Sequence, residues 1–157
     1  MSLLVDPTAL RPAPPPGAVV ASVVLWLGAL LAGLSETLVR LAGPLPPSGA
    51  EVAFRSAVYT VLVVLVVQLR SGSAVHRWTV VGVLGLLGTA SLVAEPLRAL
   101  AAGTTVAGFL ADASSAELLA ASLRALHVVE VVAAMSLLFH PAARAFYRGG
   151  PGGRAAR

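Results

Sequence analysis

Four stretches of the chain, 18–41, 49–69, 77–102 and 115–139, are predominantly apolar over twenty residues or more, and the breaks between them are rich in Pro, Gly and Ser. A helix of about 20 apolar residues crosses the roughly 30 Å hydrocarbon core of a bilayer. Within that core only helices and closed barrels satisfy their own backbone hydrogen bonds. The pattern therefore predicts an all-α fold, a bundle of four transmembrane helices. Composition agrees: 57% of the residues are hydrophobic and 11% charged, where an ordinary soluble domain carries about 25% charged residues.

Three regions follow. Residues 1–17 contain Pro7, Pro12, Pro14, Pro15 and Pro16 and are expected as a flexible, Pro-rich arm. Residues 18–142 form the membrane domain. Residues 143–157, with Arg144, Arg148, Arg154 and Arg157 among glycines, are expected as a tail. A cleaved signal peptide is the rival for the first span. That apolar run is too long, and no small-x-small cleavage site follows it.

Local signals place the helix ends. Ser48-Gly49-Ala50-Glu51 and Ser114-Ser115-Ala116-Glu117 are capping boxes that open the second and fourth segments. Arg70-Ser71-Gly72-Ser73 reads as a tight turn, and Arg77-Trp78 puts a cation and an interfacial aromatic at the start of the third segment. Pro96 should kink or end that helix, since it has no amide hydrogen and crowds the carbonyl of Leu92. Residues 103–113 are expected as the longest loop, with Val106 and Phe109 against the membrane surface. His140-Pro141 should break the fourth helix, followed by a short juxtamembrane turn with Phe146 and Tyr147 at the headgroup level.

The net charge of +4 comes from eleven basic residues, all arginine. They are spread along the chain and mostly near helix ends, a pattern of membrane topology and not of nucleic-acid binding. The absence of lysine, with abundant Ala, Gly and Pro, points to a GC-rich bacterial genome. Four spans put Arg11, Arg70, Arg77, Arg144, Arg148, Arg154 and Arg157 on one side. Arg40, Arg55, Arg98 and Arg124 fall toward the other, together with Glu36, Glu51, Glu95, Asp112 and Glu117. Positive residues stay inside, so both termini are expected in the cytoplasm, with the protein a multi-pass component of the cytoplasmic membrane.

The absence of cysteine excludes thiol chemistry, disulfide exchange and Cys-ligated metals. No phosphate loop, nucleophile elbow or zinc-protease motif appears. A bis-histidine haem needs two His at one depth, and only His127 lies deep; His76 and His140 lie at helix ends and make a weak metal pair. No catalysis, cofactor or metal is expected.

The ionisable groups inside the spans are the informative ones. Each segment carries an acid and an arginine toward the side opposite the termini: Glu36/Arg40, Glu51/Arg55, Glu95/Arg98 and Glu117/Arg124. Spacings of four, four, three and seven residues put both members on one helical face. Glu36, Arg55, Glu95 and Arg124 should lie near one level, one per helix, facing the interior, because a charge at that depth must be paired or wetted. Two readings stay open: an ion-pair network that fixes helix neighbours, which full charge balance favours, or a polar pocket open to the outside. Deeper still, Glu130 has no arginine within a turn but has His127 one turn away, and Arg124, His127 and Glu130 step round one arc of the helix. An intramembrane acid beside a histidine suggests proton relay; its structural counterpart is a neutral Glu130 hydrogen-bonded to His127 or to a neighbouring helix.

Gly82, Gly85 and Gly88, and the pairs Gly28/Ala32 and Ala29/Gly33, offer small surfaces for close helix packing or for a homodimer. The strings SETLVRLAG…SGAEVAFRSA and AEPLRALAAG…SSAELLAASLRAL echo each other, as a duplicated hairpin would.

The third segment opens with Arg77-Trp78 and is glycine-rich (VLGLLGTASLV), Glu95 directly precedes Pro96, and FHPAARAFYR closes the fourth. With these features the chain resembles uncharacterised small four-span membrane proteins of high-GC bacteria. The resemblance implies a four-helix integral membrane fold and a cytoplasmic-membrane location, and it implies no activity. The expectation is a non-catalytic structural or accessory component, held in the lipid bilayer and associating with itself or with a larger membrane partner. The alternative is a small proton-linked transporter or channel that uses Glu130 and His127, with Arg124 on the same arc, below a polar outer vestibule around Glu36, Arg55, Glu95 and Arg124; the candidate outer ion-pair network is Glu36, Arg40, Arg55, Glu95 and Arg98.

Overall fold

The computed structural model describes residues 14–42 and 48–149; most of the N-terminal arm, the Gly43–Pro47 break and the tail beyond 149 lie outside the described residues. The described residues form six helices: α1 (Gly17–Leu41), α2 (Gly49–Ser71), α3 (Ala74–Ala101), α4 (Val106–Asp112), α5 (Ser115–Leu138) and α6 (Pro141–Gly149). Four of them, α1, α2, α3 and α5, are long and apolar enough to cross a membrane. The described chain has no strand, so the fold is all-α with four candidate spans.

Both capping boxes form. Ser48 accepts from the Glu51 amide while the Glu51 carboxylate accepts from Ser48, and Ser114 and Glu117 repeat the arrangement at the start of α5. α2 ends in a tight last turn over Gln68–Ser71, closed by Gly72 at φ 73°. Only glycine takes that left-handed backbone freely, and the Phe146 ring, 3.2 Å from where a Cβ would stand, closes the space as well.

α1 is the axis of the bundle, with residues buried from Val19 to Thr37, and it packs antiparallel along α5. α2 lies against α1, and α3 against α5. α2 and α3 approach each other only near the turn that joins them. Burial follows the same asymmetry: α2 buries Val66 and Leu69, α3 buries Arg77, Val80, Val81, Leu84 and Gly85, and α5 buries Val131, Ala134 and Leu138, all toward the end that carries Gly17 and α6. We call this the proximal end. The distal halves of α2 and α3 stand apart.

α3 runs through Pro96 to Ala101, close to the end that its span predicted; three features depart from the sequence reading. The middle of α3, Val81–Gly88, is wound in wide turns, a form common at functional positions. Residues 103–113 are not simply a loop. Thr105 caps the Gly108 amide and starts α4, whose Val106 and Leu110 are exposed. Finally, Pro141 opens a further helix where a turn and the start of a tail were expected. His140 accepts from the Ala142 amide, and α6 folds back under the bundle. Ala143 and Tyr147 are buried there, and the Tyr147 hydroxyl donates to the Leu69 carbonyl at 2.9 Å. Burial pushes the Tyr147 phenol up to about 12, against the opposing pull of Arg77. The Arg77 guanidinium sits 4.9 to 5.5 Å from the rings of Trp78, Phe139 and Tyr147, which stabilise it through their π faces in place of an acid.

Candidate functional site

The seam between α1 and α5 places the polar residues. Antiparallel packing brings Ser22 to Ala134, where the hydroxyl donates to the carbonyl at 2.9 Å. Above it, Gly28 meets Glu130, Gly33 meets His127, and Glu36 meets Arg124. The glycines make room. A Cβ on Gly28 would stand 2.5 Å from Glu130 Oε1, and one on Gly33 would stand 2.7 Å from the Tyr59 hydroxyl and 3.2 Å from the His127 ring. Gly85 likewise receives Met135. Gly28, Gly33 and Gly85 are thus used within the chain, while nothing packs against Gly82.

At the distal end Glu36, Arg40, Glu95 and Arg124 close a ring. Arg40 Nη2 lies 3.1 Å from Glu36 and 3.1 Å from Glu95; Arg124 Nη2 lies 2.9 Å from Glu95 and in direct contact with Glu36. Each carboxylate therefore touches both guanidiniums, and the ring ties α1, α3 and α5 together. It is graded in exposure: the side chains of Glu36 and Arg124 are 10% and 18% exposed, those of Arg40 and Glu95 43% and 64%.

Of the four acid/arginine pairs read from spacing, Glu36/Arg40 forms as a contact within one helix. Glu51 and Glu117 are occupied in their capping boxes, because a carboxylate at that position satisfies backbone donors of the first turn. Arg124 is released to α1 and α3. Glu95 turns toward the same neighbours, and Arg98 is exposed without an ion pair among the described residues. Arg55 is exposed and likewise makes none.

Below the ring, the separation of α2 from α3 leaves a cavity of about 720 Å³. Its mouth carries the ring and Arg55; its walls include Phe54, Val58 and Leu62 of α2 and Val83, Leu87 and Ser91 of α3; its floor is Trp26, Leu30, Leu84 and His127. Phe54, Val58, Val83 and Leu87 are between 37% and 71% exposed, so the cavity opens sideways between the two helices as well as distally. Four lining residues, Val83, Leu84, Leu87 and Gly88, come from the wide turns of α3.

Arg124, His127 and Glu130 all face α1, but the expected hydrogen bond between His127 and Glu130 is not made. His127 Nδ1 and Glu130 Oε2 are buried with no hydrogen-bond partner among the described residues, as is Trp26 Nε1. His127 reaches the cavity floor; Glu130 lies one turn below, behind it. Trp26 and Tyr59 were not singled out from sequence. An indole or phenol in the middle of a span, carrying a polar atom that must be satisfied, was the signal available. No group of three or more metal-ligating side chains occurs among the described residues. No protein-family model, curated protein or solved structure matches this chain.

Proposed function

We propose that this chain is a non-catalytic, multi-pass protein of the bacterial cytoplasmic membrane, with both termini in the cytoplasm, and that its outward-facing cavity binds a small ligand. The observation that carries this reading is the cavity itself: about 720 Å³, within the roughly 300–1,000 Å³ of small-molecule sites. Its walls are mostly apolar, with charge confined to the mouth. The ring supports a binding role over acid–base chemistry, because each of its carboxylates is in contact with two guanidiniums and none is left without a partner. Its work is architectural: it ties α1, α3 and α5 together and leaves α2 outside the ring.

The test uses Trp26 as a reporter at the cavity floor. With Trp78→Phe, Trp26 is the only tryptophan left. A water-soluble nitroxide added outside reconstituted vesicles should quench it, and Ser91→Trp in a Trp26→Phe, Trp78→Phe background should be quenched more strongly. Equal quenching by nitroxide confined to the vesicle lumen, or none from either side, would overturn the reading.

A second reading, proton-linked transport through His127 and Glu130, is favoured by one observation: both side chains bury a polar atom without a partner near the middle of α5. Infrared difference spectroscopy across pH 5–8, with Glu130→Gln as the control, separates the two. A carboxyl band that titrates supports transport; a silent Glu130 leaves the binding reading alone.

A further inference from the structure

The cavity is not shaped like a site for a compact polar solute. From Glu51 to Leu62 along α2, and from Val83 to Glu95 along α3, its walls run for about 16–18 Å at 1.5 Å per residue. That is the depth of one leaflet, half of the roughly 30 Å hydrocarbon core. The walls along this length are Phe54, Val58, Leu62, Val83 and Leu87, and the side between α2 and α3 is open where the bilayer would lie. An apolar slot of leaflet depth, open laterally, fits a chain standing parallel to the helices.

The charges at the mouth choose the head group. Glu36 and Glu95 are each matched by Arg40 and Arg124. The Glu51 carboxylate is held by the Ser48 amide at 3.0 Å and the Ser48 hydroxyl at 3.3 Å. Arg55 lines the same mouth with no ion pair among the described residues. The mouth thus holds three arginines and three glutamates, and Arg55 is the arginine among them that makes no ion pair, at the headgroup level of an apolar slot.

We infer that the cavity takes an acyl chain with an anionic head, the chain lying between α2 and α3 and the head pairing with Arg55. This rests on the cavity being a binding site. The anion has two sources, a free fatty-acid carboxylate or the phosphate of an anionic phospholipid, and the chemistry recognised is shared. No covalent step is involved.

The full chain carrying Trp78→Phe is placed in nanodiscs of zwitterionic lipid, and Trp26 fluorescence is titrated with a fatty acid brominated in mid-chain. Arg55 to Leu62 spans about 10 Å along α2, which puts such a bromine near the floor. The methyl ester of the same acid and a brominated anionic phospholipid form parallel arms. The acid, the phospholipid or both should quench at about fivefold lower concentration than the neutral ester, the ratio expected for one partly exposed ion pair. Arg55→Gln should abolish that difference, and Arg55→Lys should restore much of it. Which of the two anions is preferred identifies the source. Equal quenching by acid, phospholipid and ester, unchanged in Arg55→Gln, overturns the charge selection. No quenching by any brominated chain, where the aqueous nitroxide does quench, overturns the acyl ligand and leaves the binding site standing.

Discussion

Replacing Arg124 by Gln should cost the fold several times what replacing Arg40 by Gln costs, although both arginines touch the same two carboxylates. The difference lies in what remains. Without Arg124, the Glu36 carboxylate, 10% exposed, keeps only Arg40, whose side chain is 43% exposed and free to turn to solvent. Without Arg40, Glu36 keeps the better-buried Arg124, and Glu95, at 64% exposure, is solvated in any case. Removing one partner of a buried pair costs about 3–5 kcal/mol, and an exposed pair contributes about 0.2–1 kcal/mol. Arg124→Gln should fall near 3 kcal/mol, about a hundredfold in the folding equilibrium, and Arg40→Gln at about 1 kcal/mol or less. Glu36→Gln with Arg124→Gln should recover about half of the loss, since the charge left without a partner is removed too. Reversible unfolding in mixed micelles with increasing SDS, followed by tryptophan fluorescence, measures each variant. An Arg40→Gln cost equal to or above that of Arg124→Gln, or a double variant whose cost is the sum of the singles, would refute the reasoning.

Two further variants probe the rest of the structure. Gly28→Ala sets a methyl 2.5 Å from Glu130 Oε1 and should cost about 1–3 kcal/mol as overpacking. Adding Glu130→Ala should relieve most of it. Gly82→Ala, with nothing within 4 Å, should be neutral or stabilising, because alanine favours helix by about 1 kcal/mol; the same unfolding assay compares them. Tyr147→Phe removes the hydrogen bond to the Leu69 carbonyl and should cost about 1 kcal/mol at neutral pH. The phenol titrates near 10 when unfolded and at about 12 in the fold. Its contribution is therefore full below pH 10 and is lost as pH rises from 10 to 12. Unfolding measured against pH should show that alkaline loss in the parent and not in Tyr147→Phe.

The spans and the two capping boxes were legible because they depend on local pattern: twenty apolar residues, or a serine three residues before a glutamate, fix the same local structure in most surroundings. That Glu36, Glu95 and Arg124 could meet was legible too, since position along a helix follows from counting residues. Which of the acids would pair was not. Glu51 and Glu117 read both as caps and as partners of Arg55 and Arg124, and one carboxylate does one of these. α6 was hidden because the spacing of Ala143 and Tyr147 shows its buried face only once the rest of the bundle is present to cover it. The separation of α2 from α3 left no trace in composition at all. An apolar side chain facing lipid and one facing a cavity satisfy the same physical demand, so Val58 and Leu87 look like any other residues of a span.

The bundle is closed at the end bearing α6 and open at the other, which the proposed topology turns toward the outside. The chain has no cysteine, so a single introduced thiol reports on one place. Ser91→Cys is nearly isosteric and lines the cavity; Ser73→Cys sits in the turn between α2 and α3. In right-side-out vesicles an impermeant maleimide should label Ser91→Cys at once and Ser73→Cys only after permeabilisation. Labelling of Ser73→Cys in intact vesicles, or a Ser91→Cys that no aqueous reagent reaches from outside, would contradict that topology.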